Sequence, residues 1–346
     1  MGYWDGMKLL ALALAVAAAG NLAAQSAPAV APSGTPGPLR LALYNHKGLL
    51  TWTTPKFKIT EASAKPDGHE LGVRTEDAAG RLHSLGFLFV APAFAPLTST
   101  KCRDSVIASD SKDNPTLKVL RTLELARGDG PPVALAVYTA EGERGAGYLV
   151  RGFIATGDLC GDLEFDSTEP ISEHDSDLAA IFASYKLDPE YTPAFVDFFQ
   201  YAQVLFQTGQ LTAAAPLFEK ALAMLPADGA PFVSKKIAIR VVTDQAGMAY
   251  GASGGIAKAR AIFNAAIAAD PGYPLYYYNL ACADAEEQNL PAARKHLQQA
   301  FARKAEVNPG ESMPDPTQDD SFQAYRGDKE FWSFLSTLAA SESAPR

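Results

Sequence analysis

Ala214, Phe218, Ala221 and Pro226 are separated by 4, 3 and 5 residues, and Ala259, Phe263, Ala266 and Pro271 repeat those residue types at those spacings. Ala293, Leu297 and Ala300 form a third, weaker copy 34 residues after the second. Residues three, four and seven apart lie on one face of a helix. Alanines there let a neighbouring helix approach closely, and the larger residue between them fills the remaining gap. The closing proline cannot continue the helix, since it lacks a donor and clashes with the preceding turn. In the first two copies Gly209 and Gly254 mark a turn five residues before the first alanine. The residues ahead of each turn read as an earlier helix. The second half of the chain therefore folds as stacked helix pairs.

This helix–turn–helix period, with small, large and small residues on one stripe, resembles the tetratricopeptide repeat of bacterial exported proteins. The resemblance covers about Pro193 to Ala305, a third of the chain, in copies at about 195–228, 240–273 and 274–307. It departs from the pattern in three places. Eleven residues, Ala227 to Ile237, stand between the first and second copies; Asp284 takes the place of Leu205 and Tyr250; and Ala305 stands where a proline is expected.

The resemblance implies that the first helix of each pair lines a concave binding surface. Its inward residues would be Phe199, Gln203 and Phe206, then Asp244 and Met248, then Tyr278 and Glu286. Aromatic and methionine side chains offer adaptable apolar contact, and the acids suit a basic group. The bland alternative packs Phe199 and Phe206 against the preceding domain. Lys235, Lys236 and Arg240 read as a solvated face of an extended first helix. Three repeats need a cap. Phe331, Leu335 and Leu338 supply its apolar stripe, with Trp332 beside it and Asp328 as N-cap. Asp320 or Ser321 would open a short preceding helix ending at Gly327.

At 346 residues the chain has room for about two domains, and its formal charge of −9 argues against a nucleic-acid partner. The N-terminus reads as a secretory signal: Lys8, an apolar run from Leu9 to Ala19, then small residues before Gln25, with cleavage expected after Ala24. Asp5 weakens the positive end, which favours Met7 as the start. The apolar run falls short of the roughly 20 residues that span a bilayer. Residues 25–38, rich in Ala and Pro, read as a flexible linker. These features imply export to the periplasm or beyond, and no membrane span.

From Leu39 to Asp188 the period changes to that of strands. Lys56 to Ala62, Glu70 to Thr75, His83 to Val90, Leu117 to Leu125, Val133 to Thr139, Tyr148 to Ala155 and Asp162 to Phe165 alternate or carry β-branched and aromatic residues. Gly142-Glu143-Arg144-Gly145 reads as a hairpin turn. Leu97 to Ala108 and a segment capped by Asp177 read as helices, the latter with Leu178, Ile181, Phe182 and Tyr185 on one face. The expectation is an α+β domain, an antiparallel sheet with helices, over 39–188, followed by repeats over 189–309 and capping elements over 310–346. The order of strands and closing helix is similar to that of the photosystem PsbP and Mog1-like sandwiches.

No catalytic constellation is present. Among the five histidines, His46, His69, His83, His174 and His296, none has metal-ligand spacing to another histidine or cysteine. Gly251, Gly254 and Gly255 lack the Gly-Lys-Ser/Thr of a phosphate loop. Gly251-Ala252-Ser253-Gly254-Gly255 has the Gly-x-Ser-x-Gly letters but falls in the turn between two repeat helices, not on a strand-to-helix elbow, and there is no His-Glu-x-x-His pair. The acids from Asp162 to Asp177 lack the pattern of a calcium loop and read as a solvated strand end and helix cap. Cys102 beside Arg103 reads either as an activated thiolate or as half of a disulfide with Cys160, which export favours. Cys282 reads as a small buried hydrophobe. The sequence thus points to an exported, non-enzymatic binding or scaffold protein holding a peptide or protein at the cell envelope, without cofactor, metal or nucleic acid. An envelope enzyme, or a small-molecule binder with its site in 39–188, is the alternative.

Overall fold

A computed structural model describes residues 39–43, 47–53, 58–76, 82–90, 98–114, 116–128, 130–142, 145–167, 175–225 and 234–343. The signal and linker expected over 1–38, His46, His174 and most of the insertion before Ile237 lie outside the described residues. The chain divides into two units, the first ending at Asp197 and the second beginning at Phe198. The change of sequence period at Asp188 does not mark this division, because the segment beyond it is fastened back to the first strand. Asp197 accepts from Arg40 Nε at 3.1 Å, from the Tyr191 hydroxyl at 2.6 Å and from the Ala194 amide at 2.9 Å.

The first unit holds two antiparallel sheets. The smaller has order β1-β2-β10, from β1 (Leu39–Ala42), β2 (Leu49–Trp52) and β10 (Lys186–Asp188). None of these strands announces itself in the sequence. Each is only three or four residues long, and β10 reaches its partner from 137 residues away, as Leu187 opposite Leu50. The larger sheet has order β3-β4-β5-β9-β8-β7-β6. Its strands are β3 (Lys58–Ala64), β4 (Glu70–Glu76), β5 (Leu82–Val90), β6 (Leu117–Leu125), β7 (Val133–Gly142), β8 (Gly145–Thr156) and β9 (Leu159–Ser167). All seven match runs that alternate in the sequence, and Gly142 pairs with Gly145 across the expected hairpin.

Helix α1 (Ser99–Asp113), capped by the Thr98 side chain on the Lys101 amide, covers one face of this sheet. Val106 and Cys102 pack there on Tyr138, Phe153 and Ala155. Cys102 and Cys160 form a disulfide, with Cα atoms 6.4 Å apart, which binds α1 to β9 and removes any thiolate at Cys102. On the other face Leu50 and the Tyr185 hydroxyl occupy the space where a Cβ on Gly161 of β9 would sit, so only glycine fits there. Helix α2 (Asp175–Phe182) starts two residues before Asp177. It buries Leu178 and Phe182, and Tyr185 is buried just beyond its end.

The second unit contains three helix pairs. They are α3 (Phe195–Gln207, whose first turn belongs to the first unit) with α4 (Leu211–Ala223), α5 (Lys235–Ala252) with α6 (Ile256–Ala269), and α7 (Pro274–Glu286) with α8 (Leu290–Phe301). Ala214, Ala221, Ala259, Ala293 and Ala300 are all buried, and so are Phe218, Phe263 and Leu297 between them. Gly209 and Gly254 turn with φ of 77° and 90°. The third copy puts Gln288 at the same point with φ 60°, a left-handed conformation that costs a non-glycine residue energy. Asp284 is equally well accounted for. Buried in place of an apolar residue, it pairs with Arg260 at 2.8 Å and His296 at 2.5 Å. A short helix α9 (Asp320–Gln323), which opens at the expected Asp320 with Asp319 as its cap but ends before Gly327, and α10 (Lys329–Ser343), capped by Asp328, close the array. Phe322, Phe331 and Leu335 pack there on Tyr278, Ala281 and Leu297.

Candidate functional site

The first helices of the pairs, α3, α5 and α7, are tied to one another by side-chain amides. Gln203 Nε2 donates to Gln245 Oε1 at 2.6 Å, and Asn279 Nδ2 donates to Asp244 Oδ1 at 2.6 Å. Asp244 is buried, and burial pushes its pKa up to about 8; nearby Glu311 adds to the rise and the Asn279 donor opposes it. Met248 remains 38% exposed on α5, one turn beyond Asp244, and Glu286 is exposed at the end of α7. Gln203, Met248 and Glu286 therefore lie along the open edge of this polar seam, and Asp244 is buried within it.

The other expected contact residues do not share it. Phe199, Asp244 and Tyr278 occupy one repeat position, each 15 residues before the first alanine of its copy. That position lies where the next helix packs, so it is covered. Tyr278 is 2% exposed, stacks edge-on against Phe322 and donates to Asp319 at 3.0 Å. It belongs to the core under the cap and is not available to a partner. Phe199 and Phe206 are half-buried against Phe218, with ring centroids 6.3 and 6.0 Å apart. Both rings thus pack on the second helix of their own pair. The position 11 residues before the alanine, held by Gln203, Met248 and Cys282, is more open. Gln245 and Asn279 were not foreseen. Each follows by one residue a position already singled out, a difference of 100° in helical phase that one weak repeat cannot resolve.

Arg240 departs from its expected solvated place. It is buried, bonding Asp270 Oδ2 at 2.7 Å, the Glu306 carbonyl at 3.0 Å and Asn308 Oδ1 at 3.2 Å, over the Tyr273 ring. Glu311 accepts from the Tyr273 hydroxyl at 2.9 Å. The segment after the third pair is thereby fastened to α5 and to the start of α7. Lys235 and Lys236 are exposed.

In the first unit the reactive-looking residues lie in different elements. His83 lies in β5, opposite Thr75. His69 is largely exposed, 3.7 Å from Asp67. Asp162 is fully buried against Arg151, not part of a solvated strand end. Among the described residues no group of three or more His, Cys, Asp or Glu is placed to hold a metal. A half-open cavity of about 240 Å³ lies between β6 and α2, walled by Leu125, Val133 and Phe182. Arg127 at its rim is engaged by the carbonyls of Ala183 and Tyr185.

No family model matches the chain, and no curated protein matches it. Solved structures similar to it in part include the Yersinia enterocolitica type III secretion chaperone SycD in complex with a peptide of the translocator YopD. That match is 14% identical with a TM-score of 0.28, covering 43% of this chain and 94% of that one. The Sgt2 TPR domain from Aspergillus fumigatus is 18% identical with a TM-score of 0.29, over 45% of this chain and 87% of that one. MamA is 16% identical with a TM-score of 0.27, and the match spans 32% of this chain and 59% of that one. The helical unit is a tetratricopeptide-like array on the strength of its own pairs: buried alanines, a large residue between them, and a left-handed turn at one fixed point in all three copies.

Proposed function

We propose that this is an exported, non-enzymatic binding or scaffold protein that holds a peptide or protein partner at the cell envelope through the face of α3, α5 and α7. The observation that carries the reading is the half-open stripe of Gln203, Met248 and Glu286, braced by the Gln203–Gln245 and Asp244–Asn279 bonds. Side chains held by such bonds lose little entropy when a partner docks, which favours affinity from a few anchors. Glu286, its exposed acid, suits a partner with a basic group. Export rests on the N-terminal segment, with its lysine, short apolar run and small-residue cleavage point.

The test uses an internal control. Met248 and Ile239 are both exposed on α5 but stand nine residues apart, on opposite sides of the helix. A photo-crosslinking residue at 248 should capture a defined envelope protein and one at 239 should not. Equal capture at both sites, or none at 248, overturns the reading. N-terminal sequencing of the cell-envelope fraction should begin at Gln25, and an uncleaved cytosolic product would overturn the export arm.

A further inference from the structure

Arg151 on β8 is the centre of a buried group with more acid than base. Its Nη1 donates to Asp110 Oδ2 at 2.7 Å, its Nε to Asp162 Oδ2 at 3.0 Å, and its Nη2 to Glu164 Oε1 at 2.8 Å as well as to Asp162. The acids come from two elements: Asp110 from α1, Asp162 and Glu164 from β9. Tyr138 on β7 donates its hydroxyl to the same Asp110 oxygen at 3.3 Å. Arg151 is 6% exposed, Asp110 8% and Asp162 0%. Asp162 Oδ1 has no hydrogen-bond partner among the described residues. Of the surrounding titratable groups most are acidic, with Lys65 acting on Glu70 and Arg127 on Tyr185. Asp113 acts on Asp110 from the next turn of α1, Glu70 on β4 and Asp166 on β9 interact with Glu164, and the Tyr185 phenol beyond α2 senses Asp162. Three carboxylates meet one guanidinium, and two of them, Asp110 and Asp162, lie where water is scarce.

We propose that Asp110 and Asp162 share a proton beside Arg151 at neutral pH, and that losing it loosens the second half of α1 from the sheet. Like charges confined to one buried site do not all ionise. A buried charge without full compensation costs several kcal/mol, whereas a proton removes it. Burial accordingly raises both Asp110 and Asp162, against the pull of Arg151. The sign follows. A folded-state carboxyl above its ordinary value binds a proton that the unfolded chain has released, so stability is greatest below the unfolded value and falls as pH rises through the folded one. The disulfide confines the response. Cys102 holds the first half of α1 to β9, while Asp110, eight residues on, is the contact that charge repulsion acts upon.

The experiment is infrared spectroscopy and residue-resolved hydrogen exchange on the full chain between pH 5 and pH 8. Asp244→Asn serves as the background, so that the buried Asp244 adds no signal. A protonated carboxyl band should persist at pH 7 and disappear in Asp162→Asn. After correction for intrinsic rates, amides from Ile107 to Asp113 should lose protection severalfold as pH rises while those from Ser99 to Arg103 do not. Asp162→Asn, or Asp110→Asn if the first fails to fold, should flatten that profile. Absence of the acid band at pH 7 in the protein with all three acids intact overturns the proposal whatever the variants do. So does an exchange profile in α1 that is independent of pH, or one that the substitutions leave unchanged.

Discussion

The two units solve the same problem with opposite means. The sheet unit brings together residues far apart in the chain: Cys102 with Cys160, Leu50 with Leu187, Arg40 with Asp197. It closes with a covalent bond and buries an ion cluster. The helical unit is built from neighbours, each pair packing on the next through alanines with one large residue between them. Local construction repeats, so it leaves a period in the sequence, whereas non-local construction leaves only alternation. The difference also sets where each unit should fail.

The largest effect is expected at Phe263, which is 2% exposed with its ring against the backbone of Gly247 and beside Tyr276. Phe263→Ala should cost about 3–5 kcal/mol, as large-to-small core changes do. Denaturant unfolding should show the loss, and hydrogen exchange should show it spreading through α5 to α8. If the loss stays within α6, the nearest-neighbour picture of this unit fails. Tyr278→Ala should cost about 3 kcal/mol for the same reason, since the ring lies under the cap. A melting temperature unchanged by it would restore Tyr278 to the partner face.

Breaking the disulfide should lower the stability of the sheet unit by about 2–4 kcal/mol through the long loop it closes. Cys102→Ser and chemical reduction should agree, and Cys282→Ser should leave disulfide content unaltered. If peptide mapping of the protein finds Cys102 and Cys160 free, the sheet unit is held by its packing alone.

Smaller effects separate the buried acids from the surface. Asp244, with its pKa pushed up to about 8, binds a proton when folded that the unfolded chain releases at lower pH. The stability of the helical unit should therefore fall as pH rises through neutrality to about 8. Asp244→Asn should remove that slope while keeping the bond to Asn279, and melting curves from pH 5 to pH 9 would show it. Met248→Ala should change stability by less than about 0.5 kcal/mol, as exposed substitutions usually do. It should nonetheless weaken the binding of a partner captured at that position, measured by titration. A variant that unfolds would place Met248 in the packing, not on the open face.

Much of the helical unit was legible in advance because helix phase, turn position and cap chemistry are all local. The Ala-to-Phe-to-Ala spacing located three pairs, and Asp328 located the last helix. The polar face of α3, α5 and α7 was legible only in part. Gln203, Asp244, Met248 and Glu286 follow from helical phase, but Tyr278 and Asn279 differ by a single step of that phase. Which one the cap covers depends on Phe322, which lies 44 residues beyond Tyr278. In the sheet unit, alternation revealed all seven strands of the large sheet, since one-sided burial imposes it. The small sheet left no such mark, because its short strands are recruited by packing from both ends of the domain.

By itself the sequence determined the architecture of the chain: a strand-rich first half, paired helices after it, and two cysteines suited to a bridge. Periodicity and turn residues carry that information because they act between residues close in the chain. Only the tertiary structure decided which polar residues are buried. Arg151, Asp162, Arg240 and Asp244 look like ordinary surface residues in the sequence, yet each is enclosed by elements that arrive from elsewhere. Burial depends on what packs over a side chain, and a charge in the sequence carries no record of its cover.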